Sequence, residues 1–198
     1  MMYPSSAGGS STPEIDDREH SLSPSELLAH LDLHEGMTVA DIESGAGYFA
    51  LPLGRRVGPG GKVFAVDSPS RLELLRAGLR PQEVPANVQP VEGSAGRTTL
   101  RDASCDLVLM ADLWHELEDR EAALREARRI VREGGHLAIL EWRHDAPAPP
   151  GPPAERRISP KATLCALEMN AWSLDEWIEI GPNGYLLLFE PTDESVQS

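Results

Sequence analysis

Cysteine is almost absent from this chain of 198 residues: Cys105 and Cys165 stand far apart and form no C-x-x-C pair. That argues against a disulfide framework and against a cysteine-based zinc site. The six histidines are scattered, with no His-x-x-x-His spacing, so no metal site is expected. Positive charge is also scarce. Eighteen Lys and Arg face 32 Asp and Glu, a net charge of −14. Nucleic-acid binding depends on cations that neutralise phosphates, so a nucleic-acid substrate is disfavoured. No apolar run approaches the roughly 20 residues that span a bilayer. A basic n-region and an apolar h-region are missing as well, so a membrane role is not expected and the cytoplasm is the expected compartment.

What remains is an ordinary globular composition, 40% apolar and 25% charged, in a length suited to one domain. Residues 1–14 are rich in Ser, Gly and Pro without apolar period and read as a disordered arm. One domain is expected over residues 15–191, with a flexible tail at 192–198. Ser23-Pro24-Ser25-Glu26 reads as a capped helix start, with Ser23 as cap, Pro24 at the first position and Glu26 closing a capping box. Ser68-Pro69 and Ser159-Pro160 repeat the device.

Short apolar runs alternate with amphipathic helices between these starts. Strands are expected at Thr38 to Ile42, Lys62 to Asp67, Val88 to Glu92, Cys105 to Ala111 and His136 to Trp142. Pro90 inside the third implies a sheet edge. Helices use Phe49, Ala50, Leu53 and Val57; then Leu72, Leu75 and Leu79; then Ala123, Leu124, Ala127, Ile130 and Val131, this last one ended by Gly134-Gly135. Such alternation predicts a doubly wound α/β fold with a mostly parallel sheet. After the proline-rich Asp145 to Pro153, a helix runs from about Pro160 to Asn170. Two strands near Asp175 to Ile180 and Tyr185 to Glu190 follow, and the short turn between them makes the pair antiparallel. Trp172, Leu174, Trp177 and Ile178 read as core.

The first strand runs into Asp41-Ile42-Glu43-Ser44-Gly45-Ala46-Gly47-Tyr48. Gly45 and Gly47 permit a sharp turn and close approach of a ligand to the backbone. A helix N-terminus lies directly behind. Asp67 ends the second strand, where an acid can accept both hydroxyls of a ribose. Together these make a nucleotide-cofactor signal, although each has a plainer reading: a strand-to-helix turn for the glycines and a helix cap for Asp41 or Asp67.

With these residues in view, the chain resembles the class I S-adenosylmethionine-dependent methyltransferases, and most of all the small bacterial UbiE/ArsM-like group. The resemblance rests on GMTVADIESGAGYFALPL, VGPGGKVFAVD, DLVLMADLWHEL and REGGHLAILEWRHDAPAPPGPP. It implies seven strands in the order 3-2-1-4-5-7-6, strand seven antiparallel, in a Rossmann-like sheet. It also implies S-adenosylmethionine as cofactor, bound by Asp41, Glu43, Gly45, Gly47, Tyr48, Asp67, Ser68, Ser94 and Ala111. Two positions depart from the family pattern: Glu43 stands at the first glycine of Asp-x-Gly-x-Gly-x-Gly, and Gly93-Ser94-Ala95 replaces Gly-Asp-Ala. Both bear on activity rather than fold. The two cysteines argue against arsenic methylation.

His115, after the fourth strand, is the candidate general base; Trp114, His115, Trp142, Arg143 and His144 are the candidate acceptor pocket. Packing or a solvated loop is the plainer reading of each. The expected reaction is methyl transfer to a small-molecule acceptor, with a homodimer compatible. Two rivals stand beside it. One is a methyltransferase-like module that binds or regulates without catalysis. The other is an NAD-dependent oxidoreductase, since Gly45-x-Gly47-x-x-Ala50 with Asp67 also fits a dinucleotide fingerprint.

Overall fold

The computed structural model describes residues 22–77, 84–147 and 151–192. The expected N-terminal arm, Leu79 and the tail beyond Thr192 lie outside the described residues.

Seven strands form one sheet: β1 (Thr38–Ile42), β2 (Lys62–Asp67), β3 (Val88–Glu92), β4 (Cys105–Ala111), β5 (Val131–Trp142), β6 (Trp172–Ile180) and β7 (Gly184–Pro191). Their order is β3-β2-β1-β4-β5-β7-β6, as expected. The first five pair in parallel, while β7 runs antiparallel to both β5 and β6. Pro90 sits in β3 at one edge, where a missing N–H leaves no central ladder bond open.

Side chains alternate between two cores, as the period of a strand requires. Val39, Leu107, Leu109, Ala138, Leu140 and Leu186 face one way, onto helices α1 (Pro24–His30), α2 (Ala50–Val57) and α3 (Pro69–Ala77). Ala40, Ile42, Val108, Met110, Leu137, Ile139 and Leu187 face the other way, onto α4 (Arg120–Ile130) and α5 (Pro160–Glu168). Covered on both faces, β4 is apolar at nearly every position. Among the described residues no helix is long and apolar enough to cross a membrane.

Four local expectations are corrected. Ser159 caps α5, accepting from Ala162 N at 3.2 Å, but the Ser23 side chain makes no cap bond and lies 2.7 Å from Ser25 Oγ instead. Gly134-Gly135 does not end a helix. α4 passes directly into β5, and the β4–β5 ladder skips from Cys105–Val131 to Leu107–His136. The glycines serve that bulge: Gly134 has φ +71°, and a Cβ on Gly135 would lie 2.8 Å from the Asp106 carbonyl oxygen. The terminal hairpin is longer than its apolar runs, because β6 begins at Trp172 and β7 at Gly184. Finally, Trp172 is buried but Trp177 is half exposed, since β6 is the other sheet edge and covers only one of its faces.

Candidate active site

The parallel strands β1, β2, β4 and β5 bring Asp41, Asp67, Ala111 and Glu141 to one edge, their carboxyl ends. Open α/β sheets bind ligands on that edge. β1 enters the turn at Glu43, whose φ of +56° lies in the left-handed region. Gly45 and Gly47 follow at φ +55° and +87°. A Cβ on Gly47 would come within 2.5 Å of Leu75 Cδ1, so this glycine also admits α3 against the turn. Asp67 holds the turn in place: its Oδ2 accepts from Gly45 N at 2.8 Å and its Oδ1 from Ser68 N at 2.6 Å. A carboxylate has about four lone-pair sites, so capacity for two further donors remains.

Asp41 is almost wholly buried, and its Oδ2 has no hydrogen-bond partner; Ser44 Oγ nearby is orphaned too. Burial pushes the Asp41 carboxyl up to about 8; an Ala50 N–H bond opposes that and the Asp67 charge adds to it. A buried carboxyl oxygen left without a partner is a costly feature unless a ligand completes it. Glu43 is exposed by area, yet partial burial of its carboxyl leads an upward shift in its pKa. The Ala95 N–H bond and Arg71 oppose that shift, and Asp67 and Glu116 reinforce it. Glu43 therefore reaches from the β1 turn to the turn after β3. There Ser94 is exposed and closes a tight bridge with Arg97 (N···O 2.9 and 3.0 Å). Tyr48 packs edge-on against Phe49, ring centroids 5.0 Å apart.

The acceptor side differs from expectation. Trp114 and Trp142 are 1% and 0% exposed, so neither ring presents a free face. Trp142 donates its Nε1–H to Asp112 Oδ1 at 2.6 Å and lies 5.6 Å beneath the Arg157 guanidinium. Arg143 turns away to Asp145 (2.9 and 3.0 Å) and to Glu179 on β6 (3.3 Å), and His144 is exposed. The His115 ring is buried too, only 2% exposed, and its Nδ1 is 3.0 and 3.1 Å from the two oxygens of Glu141, which is fully buried. Burial lowers the His115 pKa, but the bond and charge of Glu141, with Asp112 and Glu116, outweigh it and leave the pKa raised.

Sequence reasoning missed Asp112, Glu141 and Arg157. The signal for Glu141 was one carboxylate in the buried run His136 to Trp142, a place where an isolated charge is unfavourable without partners. Arg157 had no local signal. Only 6% exposed, it donates to the carbonyls of Pro152, Ala146 and Arg143 and so ties the proline-rich segment over Trp142. Donor atoms of Asp112, His115 and Glu141 also lie within 4.8 Å of one another, close enough to hold a cation. Each of them already meets a protein group, however. Glu141 accepts from the main-chain N–H of His115 (3.2 Å) and of Trp142 (3.1 Å), and Asp112 accepts from the indole.

Residues 40–139 match the model of a family described as a methyltransferase domain. The ubiquinone/menaquinone biosynthesis C-methyltransferase UbiE of Hahella chejuensis is 35% identical over 108 residues, 54% of this chain and 43% of that protein. The demethylmenaquinone methyltransferase of Lactococcus lactis is 27% identical over 131 residues, 66% of this chain and 52% of that one. The chain thus spans about half the length of such relatives. An S-adenosylmethionine-dependent methyltransferase from Aquifex aeolicus superposes with a TM-score of 0.76 at 27% identity, covering 87% of this chain and 92% of the other.

Proposed function

We propose, from the premise that the chain belongs to the methyltransferase-domain family of class I S-adenosylmethionine-dependent enzymes, that it transfers a methyl group to a small-molecule acceptor. The observation that carries this reading is the buried Asp41 Oδ2 at the glycine turn, which has no hydrogen-bond partner, together with the unpartnered Ser44 hydroxyl. A ligand with a cationic group and hydrogen-bond donors completes both, and S-adenosylmethionine has an ammonium and a sulfonium. When bound, the cofactor supplies a methyl group on positively charged sulfur. Asp41 would hold its ammonium end, Asp67 its ribose hydroxyls, the Gly45–Gly47 backbone its close approach, and Ser94 its adenine. Aligning the reacting partners then contributes much of the acceleration. The net charge of −14 disfavours polyanionic acceptors and leaves small molecules as the class proposed.

Glu43 favours a second reading. It places a side chain in left-handed backbone where the family has glycine, and its carboxyl already occupies the Ala95 N–H. A module that has lost cofactor binding would tolerate such a change. Calorimetric titration separates the two. Micromolar binding of S-adenosylmethionine and S-adenosylhomocysteine, without NAD binding, supports the transferase. No binding by folded protein, with binding gained in Glu43→Gly, supports the non-catalytic module.

A further inference from the structure

We propose that Asp112, His115 and Glu141 form a closed site for one divalent cation of the Zn²⁺ class, which ties the carboxyl ends of β4 and β5 together. The inference goes beyond methyl transfer and does not rest on it. The ion's role is structural, because the three side chains are only 13%, 2% and 0% exposed and leave little of it open to a substrate.

Charge comes first. Two carboxylates and a neutral imidazole balance a doubly charged ion, whereas without it two acids stand together where water is scarce. Among the described residues no lysine or arginine reaches Glu141, whose other bonds come from the main-chain N–H groups of His115 and Trp142. Those two donors take one lone pair on each oxygen and leave about one on each for an ion. The protein partners of Glu141 therefore do not exhaust its capacity.

Distance comes second. Donors bound to one ion at about 2.1 Å stand about 3.0 Å apart at a right angle and at most about 4.2 Å apart. His115 Nδ1 lies 3.0 and 3.1 Å from the Glu141 oxygens and 4.0 Å from Asp112 Oδ1, and donor atoms of all three fall within 4.8 Å. One ion therefore fits them with an adjustment of about 0.5 Å. A single N–H cannot point well at both Glu141 oxygens, while an ion can take both, as bidentate carboxylates do. Any proton on Nδ1 goes to water when the ion binds; the ring keeps its Nε2 proton, which faces Glu116 Oε1 at 3.8 Å. His30 and His34 do stand four residues apart, but α1 ends at His30, and among the described residues no third donor joins them.

The test is zinc binding by the full chain, reduced and stripped of metal with a chelator, read by calorimetry and thermal unfolding. One equivalent should bind with a Kd of about 1 μM or below, and free Zn²⁺ at about 100 times Kd should raise the Tm by about 5–10 °C. His115→Gln and Glu141→Gln should each weaken binding at least about 100-fold, while His34→Gln and His136→Gln leave it unchanged. X-ray absorption by the zinc-loaded wild type does not depend on any variant folding. A shell of oxygen and nitrogen with one imidazole per zinc is expected. Two imidazoles or a sulfur ligand would put the ion on exposed histidines or on exposed Cys165 and overturn the proposal. Zinc that fails to bind, or that binds without raising the Tm, would overturn it as well. S-adenosylmethionine binding is scored separately, and its absence would remove the methyl-transfer reading while leaving this site standing.

Discussion

Replacing Asp41 with Asn tests the site without any acceptor. The Asp41 carboxyl is buried and its Oδ2 unpartnered, and burial raises its pKa from an ordinary 3.8 to about 8. The folded protein therefore holds a proton here that the unfolded chain releases above pH 4. A group with a raised folded pKa contributes stability that is fully present below the unfolded pKa and is lost as pH climbs toward the folded one. Between those values the loss is about 1.4 kcal/mol per pH unit, so about 3 kcal/mol disappears from pH 5 to pH 7. Asn carries no such proton. Its packing changes the absolute stability, but other titrating groups are shared, so the difference in slope isolates Asp41. Urea unfolding of both proteins at pH 5, 6 and 7 reads it directly. Wild type should fall relative to Asp41→Asn by that amount, and binding of S-adenosylmethionine near pH 7 should release up to about one proton from wild type and none from the variant. Parallel stability curves would refute the reasoning, because they would mean that Asp41 ionises normally and needs no cationic partner.

Two further outcomes follow from the same geometry. Glu126 accepts from Thr98 N and Oγ1 (2.6 Å each) and from Arg129 Nε (2.9 Å); burial alone would raise its pKa, but Arg129 and Thr98 outweigh it and hold it at about 2. Its folded pKa is depressed, so its contribution is present above pH 4.5 and fades as pH falls toward 2. Glu126→Gln should cost about 2 kcal/mol near neutrality, after allowance for the partly exposed Arg129, and the two acid-unfolding curves should converge near pH 2. Curves that stay apart at pH 2 would count against this account. Gly151 has φ +86°, and a Cβ there would lie 2.5 Å from the Trp142 ring. Gly151→Ala should cost about 1–3 kcal/mol and speed proteolysis of the proline-rich segment; a wild-type digestion pattern would show that this segment is not held against Trp142.

Local sequence patterns were enough to lay out the sheet and the glycine turn of the candidate site. β-α alternation, Pro90 at an edge and the short turn before Tyr185 suffice for a doubly wound sheet with an antiparallel end, because connection length decides strand direction. Asp41, Gly45 and Gly47 were legible since one strand and one turn carry them, and the chain between is too short to separate them. The rest of the site depended on tertiary structure. Glu141 meets His115 across 26 residues, Trp142 meets Asp112 across 30, and Arg157 gathers carbonyls from a loop that begins 14 residues earlier. No local pattern encodes such meetings. Likewise Trp114, Trp142 and Arg143 looked available for an acceptor, yet burial by neighbouring elements and the pull of Asp145 and Glu179 assigned them elsewhere. Local rules fix where the backbone turns; which polar groups end up without partners, and hence where a ligand is needed, follows only from how the elements pack.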